Sequence, residues 1–238
     1  MVQLKAAIVL GGGKGLRLRP LTETNPKPMV PVNGRPLAQW QVEWLRQQGI
    51  EQVVFAVGYL WQKVQEFFGD GNAFGLTVRY SVEDEPLGTG GAFRKGAELV
   101  QGPFLAMNGD VVTDLDLRKM ASLHSRLGAL ATLLAVPFVS PYGIVDIAPQ
   151  GAVKGFIEKP RFPGSWINGG IYILSPEAAS RLPGQGDIET TLFPELAREG
   201  RLAAYRHEGF WGSADSLKDL QALEKELASR GSPPRQGK

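Results

Sequence analysis

Cysteine is absent from the 238 residues, which removes a disulfide framework, thiolate zinc and a cysteine nucleophile together. Histidine is scarce as well. His124 and His207 are the only two, and neither falls in a motif, so chemistry that depends on an imidazole general base is poorly provided for. A large excess of one charge is also missing: 26 basic against 24 acidic residues leave a net charge of +2, too little to make nucleic acid or an anionic membrane the main partner. The N-terminal apolar run, MVQLKAAIVL, is too short to span a bilayer and leads into glycines rather than a signal-peptide cleavage site. The expectation is therefore no membrane partner and a cytoplasmic protein. Internal repeats and long linkers are missing too, which predicts one domain over residues 1–230. Residues 231–238 have no apolar anchor and are expected to form a disordered tail.

What is there is ordinary for a globular protein, with 43% hydrophobic and 21% charged residues. Lys5–Leu10 is a short apolar run that ends in glycines, as a strand buried on both faces does. Leu37, Trp40, Val42, Trp44 and Leu45 have helical spacing, with Gly49 placed to end the helix. Strands are predicted at 52–57, 76–82 and 103–107, and helices at 60–68 and 89–100. This alternation implies βαβ units and a mostly parallel, Rossmann-like sheet flanked by helices. From residue 131 the pattern changes to strands (131–136, 143–147, 153–158 and 167–174), which predicts a partly antiparallel second half laid against the first as the other wall of a cleft. The boundary falls at about 128/129. Helices are predicted at 188–198 and 213–228. Trp40, Trp44, Trp61 and Phe68 fit either the core or a contact between subunits, so a homo-oligomer is a further expectation.

Leu10–Met29 reads LGGGKGLRLRPLTETNPKPM. A glycine-rich loop after a first buried strand lets backbone N–H groups approach a phosphate chain. The dinucleotide fingerprint fails, because with Gly11 and Gly13 in place the third glycine position holds Leu16. The P-loop fails as well, since Gly13-Lys14 is followed by Gly15 rather than Ser or Thr. What remains is glycines followed by Arg17, Arg19 and Lys27. Three cations on one loop repel unless an anion sits among them, and a triphosphate would fill that role. Pro20, Pro26, Pro28 and Pro31 stiffen the segment. A solvated surface turn is the plain alternative.

This stretch resembles the signature of the sugar-phosphate nucleotidyltransferase (NDP-sugar pyrophosphorylase) family, G-G-x-G-T-R-L-R-P-L-T followed by P-K-P. Gly12, Gly13, Gly15, Arg17 to Thr22 and Pro26-Lys27-Pro28 match. Gly11 stands where alanine is usual, and Leu16 where threonine is. The resemblance implies transfer of a nucleotidyl group from an NTP to a sugar 1-phosphate, with Mg²⁺ as cofactor. Arg17 and Lys27 would then be catalytic, and Leu10, Gly12, Gly13, Gly15, Glu85, Gly88 and Thr89 would bind nucleotide. Residues up to about 128 would form the nucleotide-binding half and residues 129–230 the sugar-binding half. The middle segments are similar to those of mannose-1-phosphate guanylyltransferases.

Asn108-Gly109-Asp110 ends a predicted strand at the carboxyl edge, where open α/β sheets bind ligands. Asp110 matches the family's metal aspartate, and an Asx turn is the structural alternative. The second metal ligand is expected at Asp215. Phe210 to Asp215 departs from the family's usual W-x-D and is similar instead to the F-W-x-x-M-D of glucose-1-phosphate cytidylyltransferases; otherwise Asp215 would only cap the last helix. Phe156-Ile157-Glu158-Lys159-Pro160 matches F-x-E-K-P, which implies that Lys159 grips the sugar phosphate and Glu158 a sugar hydroxyl. A surface ion pair is the alternative. Gly143, Asn168 and Gly169 match further sugar-pocket segments. Glu83 or Glu85, as acceptor-only carboxylates, would suit the amino donors of guanine or cytosine.

The implied reaction needs no strong base, because the second pKa of a phosphate monoester is about 6 and the nucleophile is largely anionic at neutral pH. Charge neutralisation and positioning are the difficulty. Two rival readings remain: a regulatory subunit of the same fold that binds nucleotide sugar, and a transferase acting on a non-sugar phosphate. Some family members carry a β-helix of hexapeptide repeats; this sequence shows none, so regulation through one is not expected.

Overall fold

The computed structural model describes residues 2–230; the predicted tail lies outside them. In chain order the first part runs β1 (Ala6–Gly11), α1 (Leu21–Thr24), the hairpin β2 (Pro31–Val32) and β3 (Arg35–Pro36), α2 (Leu37–Gln47), β4 (Gln52–Val57), α3 (Trp61–Phe68), β5 (Thr77–Val82) and α4 (Gly88–Ala97). It continues with β6 (Phe104–Met107), β7 (Val111–Thr113) and α5 (Leu117–Leu127). The second part runs β8 (Ala131–Val139), β9 (Ile144–Ile147), β10 (Val153–Ile157), β11 (Arg161–Leu174), α6 (Pro176–Ser180), α7 (Leu192–Arg198), β12 (Leu202–Arg206), β13 (Trp211–Ser213) and α8 (Leu217–Arg230).

Seven strands form one sheet in the order β12-β8-β11-β6-β1-β4-β5. β1 lies between β4 and β6, parallel to both, with Ala6–Gly11 opposite Gln52–Val57 and Ala7–Val9 opposite Leu105–Met107. The period of two sorts the side chains into two layers. Ala7, Val9, Phe55 and Met107 face α2, α3 and α5, while Ile8, Val54, Phe104 and Ala106 face α4, α6 and α7. Both faces are covered, as a mostly parallel sheet requires. A third apolar cluster holds α8 against the β2–β3 hairpin, α2 and β7, through Leu220, Leu223 and Leu227 on one side and Val32, Leu37, Trp40 and Val112 on the other. Phe68 is buried in the first cluster, against which the half-buried Trp44 and Trp61 pack, and Trp40 is buried in the third.

The second half is not a separate layer. β8, β11 and β12 continue the sheet beyond β6, and only β11 runs antiparallel to its neighbours within it. The remaining antiparallel pairs lie outside it: an arm made of β9 and β10, and short ribbons of β7 with β13 and β2 with β3. The predicted 213–228 helix begins later, because Ser213 pairs with Val111 in the β7–β13 ribbon. The predicted 188–198 helix has a turn over its first four residues. Helix α5 and strands β7, β12 and β13 had no counterpart among the predicted elements.

Candidate active site

The glycine loop leaves β1 and is pinned by its own side chains. Leu18 is fully buried, so its neighbours Arg17 and Arg19 are turned outward and both are exposed. Gly15 has φ +60°, and a Cβ there would lie 2.9 Å from Thr22 Cγ2, which explains why the position favours glycine. The Thr22 hydroxyl donates to the Gly15 carbonyl at 2.8 Å and closes the loop. Pro26 in extended backbone then opens a short 3₁₀ turn that begins at Lys27, so the lysine is carried on a stiff segment.

Opposite the loop, β6 ends in the Asn108-Gly109-Asp110 turn. A Cβ on Gly109 would fall on the Leu10 carbonyl oxygen, so the turn can approach β1 this closely only with glycine. Gln41 on α2 is 1% exposed, and its Nε2 donates to the carbonyls of Asn108 (3.1 Å) and Val111 (2.9 Å), bracketing the turn. The backbone N–H of Asn108 donates to the Gly170 carbonyl at 2.8 Å. Sequence reasoning missed Gln41. A lone glutamine on an amphipathic helix gives no signal until its partners, some 70 residues away, are known.

The second carboxylate arrives by the β7–β13 ribbon. Trp211, Gly212 and Ser213 pair with Thr113, Val112 and Val111. The Ala214 N–H donates to the Asp110 carbonyl at 2.9 Å, so the next residue, Asp215, emerges beside Asp110. Helix α8 is capped by others: the Ser216 hydroxyl donates to Asp219 at 2.7 Å and accepts from the Asp219 N–H. Asp215 is therefore not needed as a cap.

Lys27 lies between the two carboxylates, with Nζ donating to Asp110 Oδ2 at 2.7 Å and to Asp215 Oδ1 at 3.3 Å, while Arg17 reaches Asp215 Oδ1 at 3.2 Å. Burial pushes the Asp110 carboxyl up despite Lys27, and the neighbouring Asp215 charge adds to the rise. Burial acts the same way on Asp215, but Lys27, Arg17 and the hydrogen bond with Asp110 outweigh it and hold that carboxyl below the usual range. Among the described residues no group of three or more His, Cys, Asp or Glu side chains could hold a metal. Two hard oxygen donors with room for phosphate and water nevertheless fit Mg²⁺, which commonly takes one or two carboxylates. The buried Asn108 Oδ1 beside them has no partner.

Two hollows meet at the loop. The smaller, about 220 Å³, is lined by Leu10, Gly12, Gly13, Lys27, Thr89 and Asp110 among others. The larger, about 500 Å³, shares Leu10, Gly12, Gly13 and Thr89 and extends past Glu83, Glu85 and Gly88. Glu85 is exposed at its rim. Glu83 sits deeper, against Gly12, where its carboxylate accepts from the Leu87 N–H at 3.2 Å. Burial holds the Glu83 carboxyl above its ordinary pKa, with the Leu87 N–H and Lys95 opposing.

The sugar-side residues fall into two groups. Asn168 and Gly169 lie by the Asp110 turn and the β13 ribbon: Trp211 Nε1 donates to the Gly169 carbonyl at 2.8 Å and Gly170 packs against Asn108. Gly143, Glu158 and Lys159 belong to the exposed arm. A Cβ on Gly143 would lie 2.9 Å from Glu158 Oε2, and Lys159 is 3.9 Å from Glu158 with φ +46°. No bond joins this arm group to Lys27 or Asp110 among the described residues.

Fixed cations, a glycine loop and paired carboxylates at the carboxyl edge of an open sheet make up the ligand crevice of an α/β protein. The chain belongs to the nucleotidyl transferase family, whose model matches residues 6–227. It is 36% identical over 223 residues to the mannose-1-phosphate guanyltransferase of Saccharomyces cerevisiae, covering 90% of this chain and 62% of that protein. It is likewise 36% identical over 215 residues to a UTP–glucose-1-phosphate uridylyltransferase of Synechocystis, covering 82% and 55%. The chain thus spans less than two thirds of the length of these relatives. Among solved structures, HddC of Yersinia pseudotuberculosis superposes with a TM-score of 0.75 at 26% identity, over 94% of this chain and 99% of that one.

Proposed function

We propose that this chain transfers a nucleotidyl group from an NTP to a sugar 1-phosphate, giving an NDP-sugar and pyrophosphate. The observation that carries the reading is Lys27, held between Asp110 and Asp215 on the floor of a hollow walled by the glycine loop. A phosphate oxygen of the sugar phosphate attacks the α-phosphorus in line. The bond from that phosphorus to the bridging oxygen breaks as the new one forms, and the electron pair leaves with pyrophosphate. Lys27 neutralises charge on the α-phosphoryl group, Arg17 stabilises the departing β- and γ-phosphates, and Lys159 on the arm holds the attacking phosphate. Asp110 and Asp215 would hold Mg²⁺, which when bound shields the phosphate oxygens from one another. No side chain need remove a proton, which suits a site without histidine.

The base is read as guanine. A carboxylate only accepts, and Glu83 in the larger hollow meets the adjacent N–H donors on guanine's pairing edge better than the O4 of uracil or thymine. The guanyltransferase relatives favour the same base, with mannose 1-phosphate as the sugar. The regulatory alternative draws no support from the site, in which both predicted catalytic cations and both carboxylates are present and engaged.

A matrix of NTPs against sugar 1-phosphates with Mg²⁺, read by pyrophosphate release, tests the proposal. GTP with mannose 1-phosphate is expected to be fastest, and Glu83→Gln to reduce the preference for GTP over UTP by at least about tenfold, the worth of one to two hydrogen bonds to a charged group. Release from no pair would end the transferase reading; an unchanged preference in Glu83→Gln would end the base assignment alone.

A further inference from the structure

A chain of polar side chains runs from Thr89, which lines both hollows, to Asn168, and none of the roles above uses its middle. Thr89, on the first turn of α4, donates its hydroxyl to Glu189 Oε2 at 2.6 Å. The other oxygen of the same carboxylate accepts from the Tyr172 hydroxyl at 3.1 Å, and that hydroxyl accepts from Asn168 Nδ2 at 2.8 Å. Asn168 Oδ1 in turn accepts from the Gly170 N–H at 3.0 Å. Tyr172 is fully buried, between Phe93 and Phe193. Burial, reinforced by the Glu189 charge, pushes its pKa far up, so the ring keeps its proton.

The direction of every bond in this chain is fixed from its two ends, the Glu189 carboxylate, which accepts, and the Gly170 N–H, which donates. An ionised carboxylate has no proton to give, so both hydroxyls must point at it. The Tyr172 oxygen is then left with lone pairs only, which obliges Asn168 to present its amino group to Tyr172 and its carbonyl to Gly170. One N–H of that amino group is consumed, and the other stays free on an exposed residue. Asn168 stands two residues before Gly170, which packs on Asn108 of the Asp110 turn.

We infer that Glu189 and Tyr172 are positioning residues that lock the Asn168 amide so that its second N–H faces an acceptor oxygen of the phosphorylated sugar. The same carboxylate ties this donor to Thr89, which lines both hollows, so one half-buried side chain links the two substrate positions. The identity of the ligand rests on the reading under Proposed function; the locking of the amide does not.

Two measurements test the inference. The Asn168 side-chain amide signal, assigned by its loss in Asn168→Asp, is followed by ¹⁵N NMR in the wild type, Tyr172→Phe and Glu189→Gln. It is expected to move in both variants and, in the wild type, to shift on saturation with mannose 1-phosphate. Steady-state kinetics should show the KM for the sugar phosphate raised about tenfold in both variants, the KM for the NTP within about twofold of wild type, and thermal midpoints close to wild type. A merely structural role would lower the midpoint without separating the two KM values. An Asn168 signal unmoved in Glu189→Gln, or unmoved by every sugar 1-phosphate in the matrix, would overturn the inference even if the wild type turns over. No turnover, with the signal displaced in both variants and by the sugar phosphate, would defeat the transferase reading and leave the positioning device standing.

Discussion

Lys27 is the internal counter-ion of the site. It is one-fifth exposed and bonds to both carboxylates, opposing the burial that pushes the Asp110 carboxyl up. Removing it leaves the buried Asp110 without its cation and the transferring phosphoryl without neutralisation. Lys27→Ala and Asp110→Ala are therefore each expected to lower kcat by at least about 10²-fold, the scale seen when one preorganised electrostatic group is lost. Circular dichroism should show the fold retained, and near-normal pyrophosphate release by either variant would exclude these roles. Both residues stand out in the sequence because each sits in a short contiguous motif, Pro26-Lys27-Pro28 and Asn108-Gly109-Asp110. Asp215 is harder to read, because its place follows from the pairing of β13 with β7 rather than from residues around it. Gln41, Tyr172 and Glu189 leave no local trace at all. Glu189 meets Thr89 across 100 residues of chain, and no pattern within a window reports such a meeting.

Among the elements, strands with continuous apolar runs were placed well. β4 spans the predicted 52–57 range, since a strand buried on both faces has to be apolar throughout. Helix α5 was missed although its ends are marked: Asp116 caps it by accepting from the Arg118 N–H, and Gly128 closes it in left-handed backbone. Its polar outer face obscured the pattern, and only Leu117, Met120, Ala121 and His124 turn inward. His124 Nδ1 lies 2.8 Å from Thr132 Oγ1 of β8, tying α5 to the sheet. Burial lowers the His124 pKa below 6.5, so the native state favours the neutral ring. The unfolded chain binds a proton there as the pH falls through about 6.5, while the folded chain resists it, so stability drops toward acid. Urea unfolding between pH 7 and 5 is expected to show this loss, and His124→Asn to remove that part of the slope. Equal slopes in the two proteins would place the acid sensitivity elsewhere.

At the scale of the molecule, the alternation of strands and helices was enough to give a mostly parallel sheet, but not how far it extends. The second half was expected as the other wall of a cleft because the pattern changes to successive strands from residue 131. β11 instead crosses to pair with β6, an adjacency set by more than sixty residues of separation. The seven strands therefore form one slab, and both hollows open at its edge, where β1 runs into the glycine loop. A molecule built in this way has no crease about which to fold shut on its substrates. Small-angle X-ray scattering should accordingly give the same radius of gyration for the free chain and for the chain saturated with nucleotide and sugar phosphate. Rearrangement would be confined to the β9–β10 arm and the loops, and a contraction of several ångströms on binding would show that the slab bends after all.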